Sequence, residues 1–537
     1  MPARAPLLAK TPYAIDPRPL SGAFTPHAGL GVLSRAFRSL KLPGLIQANL
    51  SLKQRARGLE AAQYVESLML LHAAGGESMA DIEPLRQDQA LSRMLGYQPP
   101  SARAVGDFLE GFHDVESLEQ ARHQATAQGR LALLVADSAP LAALASVQQG
   151  LVQAIARARG TQPIATIDLD ATIIESAKRE ATTTYEGTRG YQPLVAVWAE
   201  TGLVLADEFR DGNVPANCSL LGCAQAAFAA LPEQVAQRYF RGDSACHERQ
   251  LLGWLADETR PHGPQGVIGF AVSARMEASL LAAARAVPER GWTTFDRDAD
   301  GTLRQEAELD YVPADPSEHK TTRPLRYLGL RLLKPQGEFF PDGESRKHFA
   351  VLTNRSEPAA FLLRWQRLKA GTVEHVHDEL KNGLGGGRLP SGKFGANAAW
   401  WRLTCLAYNL IEAVRAQLPQ EELRTAKLKR LRLHLFVVGG RLVRDRRKIQ
   451  LRLAAPRTLI ANLLELFRRF PLLTQATGWT LPPATPPPPP RRHCRPIAPQ
   501  PRVPRPPINR AVSAPAVPHP RGLRLIKSGP SPRQSVP

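Results

Sequence analysis

Apolar positions along the chain switch between two spacings, and each switch marks a new stretch of fold. From about residue 51 to 150 they recur at helical intervals, as in Leu59, Tyr64, Val65, Leu68, Leu70 and Leu71. Further helical runs over 82–95 and 102–112 are broken by Gly96 and the Pro99–Pro100 pair. The middle turns to short β-type runs. Strands are predicted over 163–170, 191–198, 203–209, 237–243 and 267–272, with helices over 220–231 and through Trp254 and Leu255. The order is three strands, helix, strand, helix, strand. Residues 273–357 are less regular, with turn clusters at 296–301 and 342–343 and short β stretches at 325–334 and 348–353. Helical spacing returns over 358–382, stopped by Gly385-Gly386-Gly387, then over 397–417 and 459–470. Residues 424–437 partly alternate leucine with Lys, Arg or His, as a strand with one charged face does.

These shifts divide the chain. Residues 1–44 read as an irregular lead-in, 45–155 as a helical bundle suited to DNA, of helix-turn-helix character, and 156–272 as the first part of an α/β core. Residues 273–357 read as an insertion, 358–420 as the rest of the core, and 421–475 as a basic region. Residues 476–537 form a Pro/Arg-rich tail without an acidic side chain, expected to be disordered.

Composition sharpens the choice of partner. The 537 residues carry 69 Lys and Arg against 49 Asp and Glu, a net charge of +20, which points to a polyanion, with nucleic acid the leading candidate. The charge is densest where Lys427, Lys429, Arg430 and Arg432 interleave with leucines, and it resumes at Arg441 and Arg444 after Gly439-Gly440. That density favours phosphate contact over a merely solvated face. The five cysteines include no Cys-x-x-Cys pair, and Cys218, Cys223, Cys246 and His247 fit no zinc-finger spacing. A sparse, odd count suits a reducing cytoplasm. The N-terminus shows no charged start followed by an apolar core and a cleavage site, and no apolar stretch is expected to be long enough to span a bilayer, so no membrane partner is expected and the protein is expected in the cytosol, beside the chromosome.

Three acidic islands stand out against this basic background. Asp168 and Asp170, two apart on a predicted strand, share one face. Carboxylates that close repel unless a cation lies between them, although Asp is also common in turns at strand ends. Asp243 follows the strand over 237–243 and precedes a helix, where capping the helix is the plainer role. Both islands lie at carboxyl ends of strands, where open α/β folds place their sites. Glu374 lies on the predicted helix over 358–382, with Lys381 two turns further on. Glu374 suits a metal and Lys381 a phosphate; an exposed, salt-bridged helix is the alternative. His375 and His377 point in different directions and read as supporting residues rather than ligands. Two strand-end carboxylates and one on a helix are what two-metal phosphoryl transfer needs.

Together these residues resemble a DDE-type insertion-sequence transposase of bacteria over about residues 45–455. The motifs are Asp168-Leu169-Asp170-Ala171-Thr172, Tyr185-Glu186-Gly187 with Gly190-Tyr191-Gln192-Pro193, Asp207 to Val214, Tyr239-Phe240-Arg241-Gly242-Asp243-Ser244, Gly371 to Asp378, and Phe394-Gly395-Ala396-Asn397. The resemblance implies an α/β fold built on a ribonuclease-H-like mixed sheet with a mainly β insertion. It implies an acid triad of Asp168 or Asp170, then Asp243, then Glu374. Asp170 is favoured by its Asp-x-Thr form, with Asp168 its rival. The family's glutamate motif carries a Tyr and an Arg upstream and a Lys seven residues downstream. Lys381 matches, whereas Arg367 and Ala370 stand at the Tyr and Arg positions, leaving Arg367 or Lys369 as substitutes. Also implied are Mg²⁺ ions, or Mn²⁺ in their place, bridging the acids. Double-stranded DNA, as terminal inverted repeats and target, would be held by Arg241, Lys381, Lys369, Arg367 and the basic region, by a homodimer in the active complex. Two other readings stay open: a nuclease that cuts without joining, and a DNA-binding regulator or inactive remnant.

Overall fold

The computed structural model describes residues 16, 21–52, 58–129, 134–160, 162–313, 324–445 and 448–471. Its spine is the apolar run Ile164–Ala171 (β1), whose interior is buried throughout, as a strand covered on both faces requires. The hairpin Leu194–Trp198 (β2) and Leu203–Glu208 (β3) follows, turning at Gly202, where φ is 71°. Helix Leu220–Ala230 then crosses over to Gln237–Gly242 (β4), and helix Arg249–Ala256 to Ile268–Ser273 (β5). β1, β4 and β5 are parallel, while β2 and β3 run antiparallel beside β1. Four more strands follow: Thr293–Arg297 (β6), Leu303–Leu309 (β7), Arg326–Leu333 (β8) and Arg346–Thr353 (β9).

The segment read as an insertion continues the main sheet. β9 pairs antiparallel with β5, so the nine strands lie in the order β6-β7-β8-β9-β5-β4-β1-β2-β3. The sequence predicts β8 and β9 but not β6 and β7. β7 carries charges on alternate positions, β6 ends on the adjacent Asp296 and Arg297, and the two flank the turn at Gly301, so the turn signal hides the strands around it.

Helix Ala359–Asp378 lies across one face of this sheet, packed by Leu362 and Leu363 against Ala271, Leu328 and Val351. It passes into a wider π-type turn, Glu379–Gly383. Helix Phe394–Arg415, buried along its whole length, then covers the edge strand β3. The Asn409 amide accepts from Val204 N at 2.9 Å and donates to Val204 O at 2.8 Å, satisfying edge groups that a tenth strand would otherwise pair. Arg402 reaches Asp207 at 3.0 Å and Asp137 at 2.7 Å from the same helix.

The N-terminal helices pack around this helix. Leu30–Ser39, Ala61–Ala74, Ala102–Glu110 and Ala139–Arg159 all contact Phe394–Arg415. The His72 ring stands edge-on to Trp400 at 4.5 Å and bonds Leu384 O at 2.9 Å.

Three expectations are corrected here. The lead-in is not irregular throughout: Leu30–Ser39 and Leu42–Asn49 are helices, the first burying Leu30, Leu33, Ala36 and Phe37 in a stripe that the surrounding Pro and Gly obscure. Residues 424–437 are not a strand. Leu428–Leu431 is helical and runs into a π-type turn, Arg432–Phe436, and the buried Leu428, Leu431 and Leu435 follow helical spacing while Leu433 is exposed. Ala139–Arg159 is, by length and composition, apolar enough to cross a membrane; it packs instead as a core helix, burying Leu141, Leu144, Val147, Leu151, Val152 and Ile155. The Pro-rich tail lies outside the described residues.

Candidate active site

The parallel pairing of β1 with β4 sets the geometry. Asp168 stands opposite Arg241, and Leu169 opposite Gly242. Asp170 and Asp243 therefore fall one residue past the last paired positions, at the carboxyl ends of neighbouring strands about 4.8 Å apart. Side chains two apart share a face, so Asp170 follows Asp168 on the sheet face that helix Ala359–Asp378 covers. Gln366 fastens that helix to the strand ends, donating to Gly242 O at 3.2 Å and to Ser273 Oγ at 2.9 Å.

Asp168 and Asp170 have different surroundings. Asp168 is fully buried, and both its oxygens are taken by Arg241, Nε to Oδ1 at 2.6 Å and Nη2 to Oδ2 at 2.7 Å. Burial pushes its carboxyl up, against the pull of the guanidinium. Asp170 is partly open, and its Oδ2 lies 3.0 Å from the ammonium of Lys369, whose side chain is only 8% exposed. Burial alone would lower the Lys369 pKa, but Asp170 and Asp243 attract the proton more strongly and the net shift is upward. Asp243 is half-buried; one oxygen accepts from Ala245 N at 3.0 Å, leaving the other for a ligand. Asp170 thus pairs with a buried cation that Asp243 attracts from beyond ion-pair distance.

Glu374 does not join them. It is exposed and has no hydrogen bond or ion pair among the described residues. Lys369 precedes it by five residues, about 140° round the helix. The buried face carries Lys369, Val373, Val376 and His377, and Glu374 lies off it. Among the described residues no three His, Cys, Asp or Glu side chains gather to hold a metal ion. Two carboxylates at the ends of neighbouring strands fit a hard divalent ion in donor chemistry. A two-ion site spanning all three acids is not assembled in this arrangement.

The predicted DNA contacts separate into available and occupied groups. Arg241 is buried: besides Asp168 it donates to Trp365 O at 2.7 Å, so it fastens strand to helix and has no face for DNA. Arg432 is likewise engaged, donating to Ala73 O at 2.8 Å and to Gly383 O. Arg367 is exposed but pairs with Asp298 at 3.4 Å. Lys381 is half-buried; its ammonium donates to Ile173 O at 3.3 Å, and burial lowers its pKa. It lines a cavity of about 540 Å³ with Arg388, Lys427 and Lys429. Lys427 is exposed and paired with Asp378 at 2.9 Å; Lys429 and Arg430 are exposed.

Arg441 and Arg444 lie on the strand Gly439–Asp445, which pairs with Lys448–Ala454 on one side and Ala23–Thr25 on the other. They are three apart and so point to opposite faces. Arg441 stands directly opposite Arg452 and over the Phe24 ring at 5.2 Å, giving an exposed row of Phe24, Arg441 and Arg452.

Two functional contacts escaped sequence reasoning. Nothing in the chain order shows that Arg241 meets Asp168, although their equal two-residue offsets from Asp243 and Asp170 suit neighbouring parallel strands. Glu379 reads as the tail of an exposed helix; instead it is buried, accepting from Leu428 N at 3.0 and 3.1 Å and tying the π-type turn to the basic region.

The fold and site define a mixed α/β protein with paired acids at the carboxyl ends of adjacent central strands. The model of the family described as "Transposase DDE domain group 1" matches residues 21–474, and the chain belongs to that family. No curated relative matches the chain. Among solved structures, the chain is similar to "Cryo-EM structure of piggyBac transposase synaptic complex with hairpin DNA", with a TM-score of 0.39 and 10% sequence identity over 76% of this chain and 80% of that one. At that score the likeness adds nothing to the assignment.

Proposed function

We propose that this chain is the transposase of a bacterial insertion sequence, cutting DNA at the element's terminal inverted repeats and joining the freed 3′ ends to target DNA. The observation that carries the reading is the placement of Asp170 and Asp243 side by side at neighbouring strand ends, with a buried cation paired to Asp170, in a chain of a DDE transposase family. The strand order β3-β2-β1-β4-β5, with β1, β4 and β5 parallel, supports a ribonuclease-H-like core. We assign the first acid to Asp170, because both oxygens of Asp168 are committed to Arg241. Glu374 is the third acid by motif, and its exposed carboxylate is free to take up a ligand.

A divalent ion, Mg²⁺ or Mn²⁺, held by Asp170 and Asp243 would neutralise the phosphate and make the attacking oxygen a better nucleophile. The chain's own residues bind and orient. The Asp168–Arg241 pair fixes the relative height of the two strands and so of the two acids beyond them. Lys381, Arg388, Lys427 and Lys429 line a cleft beside the acid-bearing strand together with Glu77, Glu175, Asp378 and Glu379, and supply the cations that would meet a backbone phosphate there. The row of Phe24, Arg441 and Arg452 offers a further contact to the duplex. A homodimer acting on paired ends, in the cytosol beside the chromosome, completes the proposal.

The test is cleavage and strand transfer on duplex DNA carrying the inverted repeats that flank the gene, with Mg²⁺. Wild type is expected to cut and join; Asp243→Asn should lose at least about a thousandfold in rate and still bind the repeats. A second reading, a DNA-binding regulator or inactive remnant, is favoured by the separation of Glu374 from the other acids. Repeat binding without cutting by wild type would select it. Cutting without joining would leave a nuclease.

A further inference from the structure

Lys369 occupies the place that the site's chemistry reserves for a cation. Its ammonium lies 3.0 Å from Asp170 Oδ2 with the side chain nearly sealed from water. It comes from the helix that carries Glu374, yet it is Lys369 and not the glutamate that faces the sheet. Two carboxylates at neighbouring strand ends would repel if left bare in a partly buried pocket. The ammonium paired with Asp170 relieves that repulsion and is held chiefly by Asp170.

We propose that Lys369 is an internal counter-ion of the metal-free protein, and that a divalent ion at Asp170 and Asp243 must displace it. The inference rests on the transposase reading above only in taking those acids as the metal donors. Lys369 then sets an affinity threshold: the ion gains the two carboxylates but loses the ion pair it breaks, and the apparent Kd is the intrinsic one divided by the fraction of chains in which the lysine has left the site. The metal-free fold is stabilised by the same pair.

The experiment uses the full chain and Mn²⁺ alone, without DNA, with free Mn²⁺ read by its electron spin resonance signal. Lys369→Met keeps the length of the side chain and removes the charge. It is expected to bind Mn²⁺ about tenfold more tightly than wild type, to melt at a lower temperature without metal, and to gain more from added Mn²⁺. Should that variant fold poorly, wild type gives an independent answer: acetylation of Lys369, followed by mass spectrometry, should rise several-fold at saturating Mn²⁺ as the amine leaves its pocket. Mn²⁺ binding that is unchanged or weaker in Lys369→Met, or acetylation that stays constant through saturation, overturns the displacement while leaving the metal reading of the acids intact. Failure of wild type and Lys369→Met alike to bind Mn²⁺ removes that reading and this inference together. Loss of binding in Asp170→Asn and Asp243→Asn supports the two acids as the donors, on which the displacement is then read from Lys369→Met and the acetylation.

Discussion

Two aspartates two residues apart play different parts because of what stands opposite each. Asp168 meets a guanidinium and becomes a structural member; Asp170, past the paired end of the strand, meets a lysine at the rim. From the sequence both are acids on one face, and the Asp-x-Thr form alone favours the second. The neighbour that settles it lies 73 residues away, and no local pattern reports it. A stability prediction follows from that neighbour. Arg241→Met leaves Asp168 buried and unpaired, and should lower unfolding free energy by about 3–5 kcal/mol, measured by urea denaturation. Asp170→Asn keeps an acceptor oxygen beside the buried Lys369 and leaves Asp243 to attract it, and should cost less than Arg241→Met. Equal losses in the two variants would count against the separate roles.

Among elements, the central strands and the two long C-terminal helices were legible because burial writes itself into them as unbroken apolar runs or stripes. β6, β7 and the helix Leu428–Leu431 were not. Their exposed positions are charged or threonine, so the same letters serve strand or helix equally well, and packing decides. The hairpin Gly439–Ala454 is another such element. Its register sets Arg441 against Arg452 with no acid pairing either one among the described residues. Like charges directly opposite are unfavourable on a sheet and become favourable against phosphate. Arg441→Gln with Arg452→Gln should therefore reduce the slope of log affinity against log salt by about 2 for duplex DNA. Arg444→Gln, on the opposite face, should leave the slope nearly unchanged. A double variant with the wild-type slope would exclude the ribbon as a phosphate contact.

At the scale of the molecule, the sequence suggests separable pieces, whereas the structure wraps the N-terminal helices round a helix some three hundred residues further on. Shifts in composition mark where local patterns change, but not which distant surfaces meet. His72 lies at that junction, fully buried, and burial pulls its pKa down to about 4 from 6.5. Between those values the unfolded chain binds a proton that the folded chain refuses, so stability falls as pH drops from about 6.5 to about 4, by roughly 3 kcal/mol in all. Thermal melts across that range should show the loss, and His72→Gln should make it shallower while leaving the share of His377, whose pKa burial pulls down to about 3. An unaltered acid limb in that variant would assign the dependence elsewhere. The blunted margins of the sheet carry a last consequence. One margin is sealed by the Asn409 amide, and the other ends on β6, whose irregular register and charges discourage pairing. Two copies brought together on a pair of DNA ends would therefore not fuse their sheets into one continuous β-structure; the bridge between them would run through helices, loops or the nucleic acid itself.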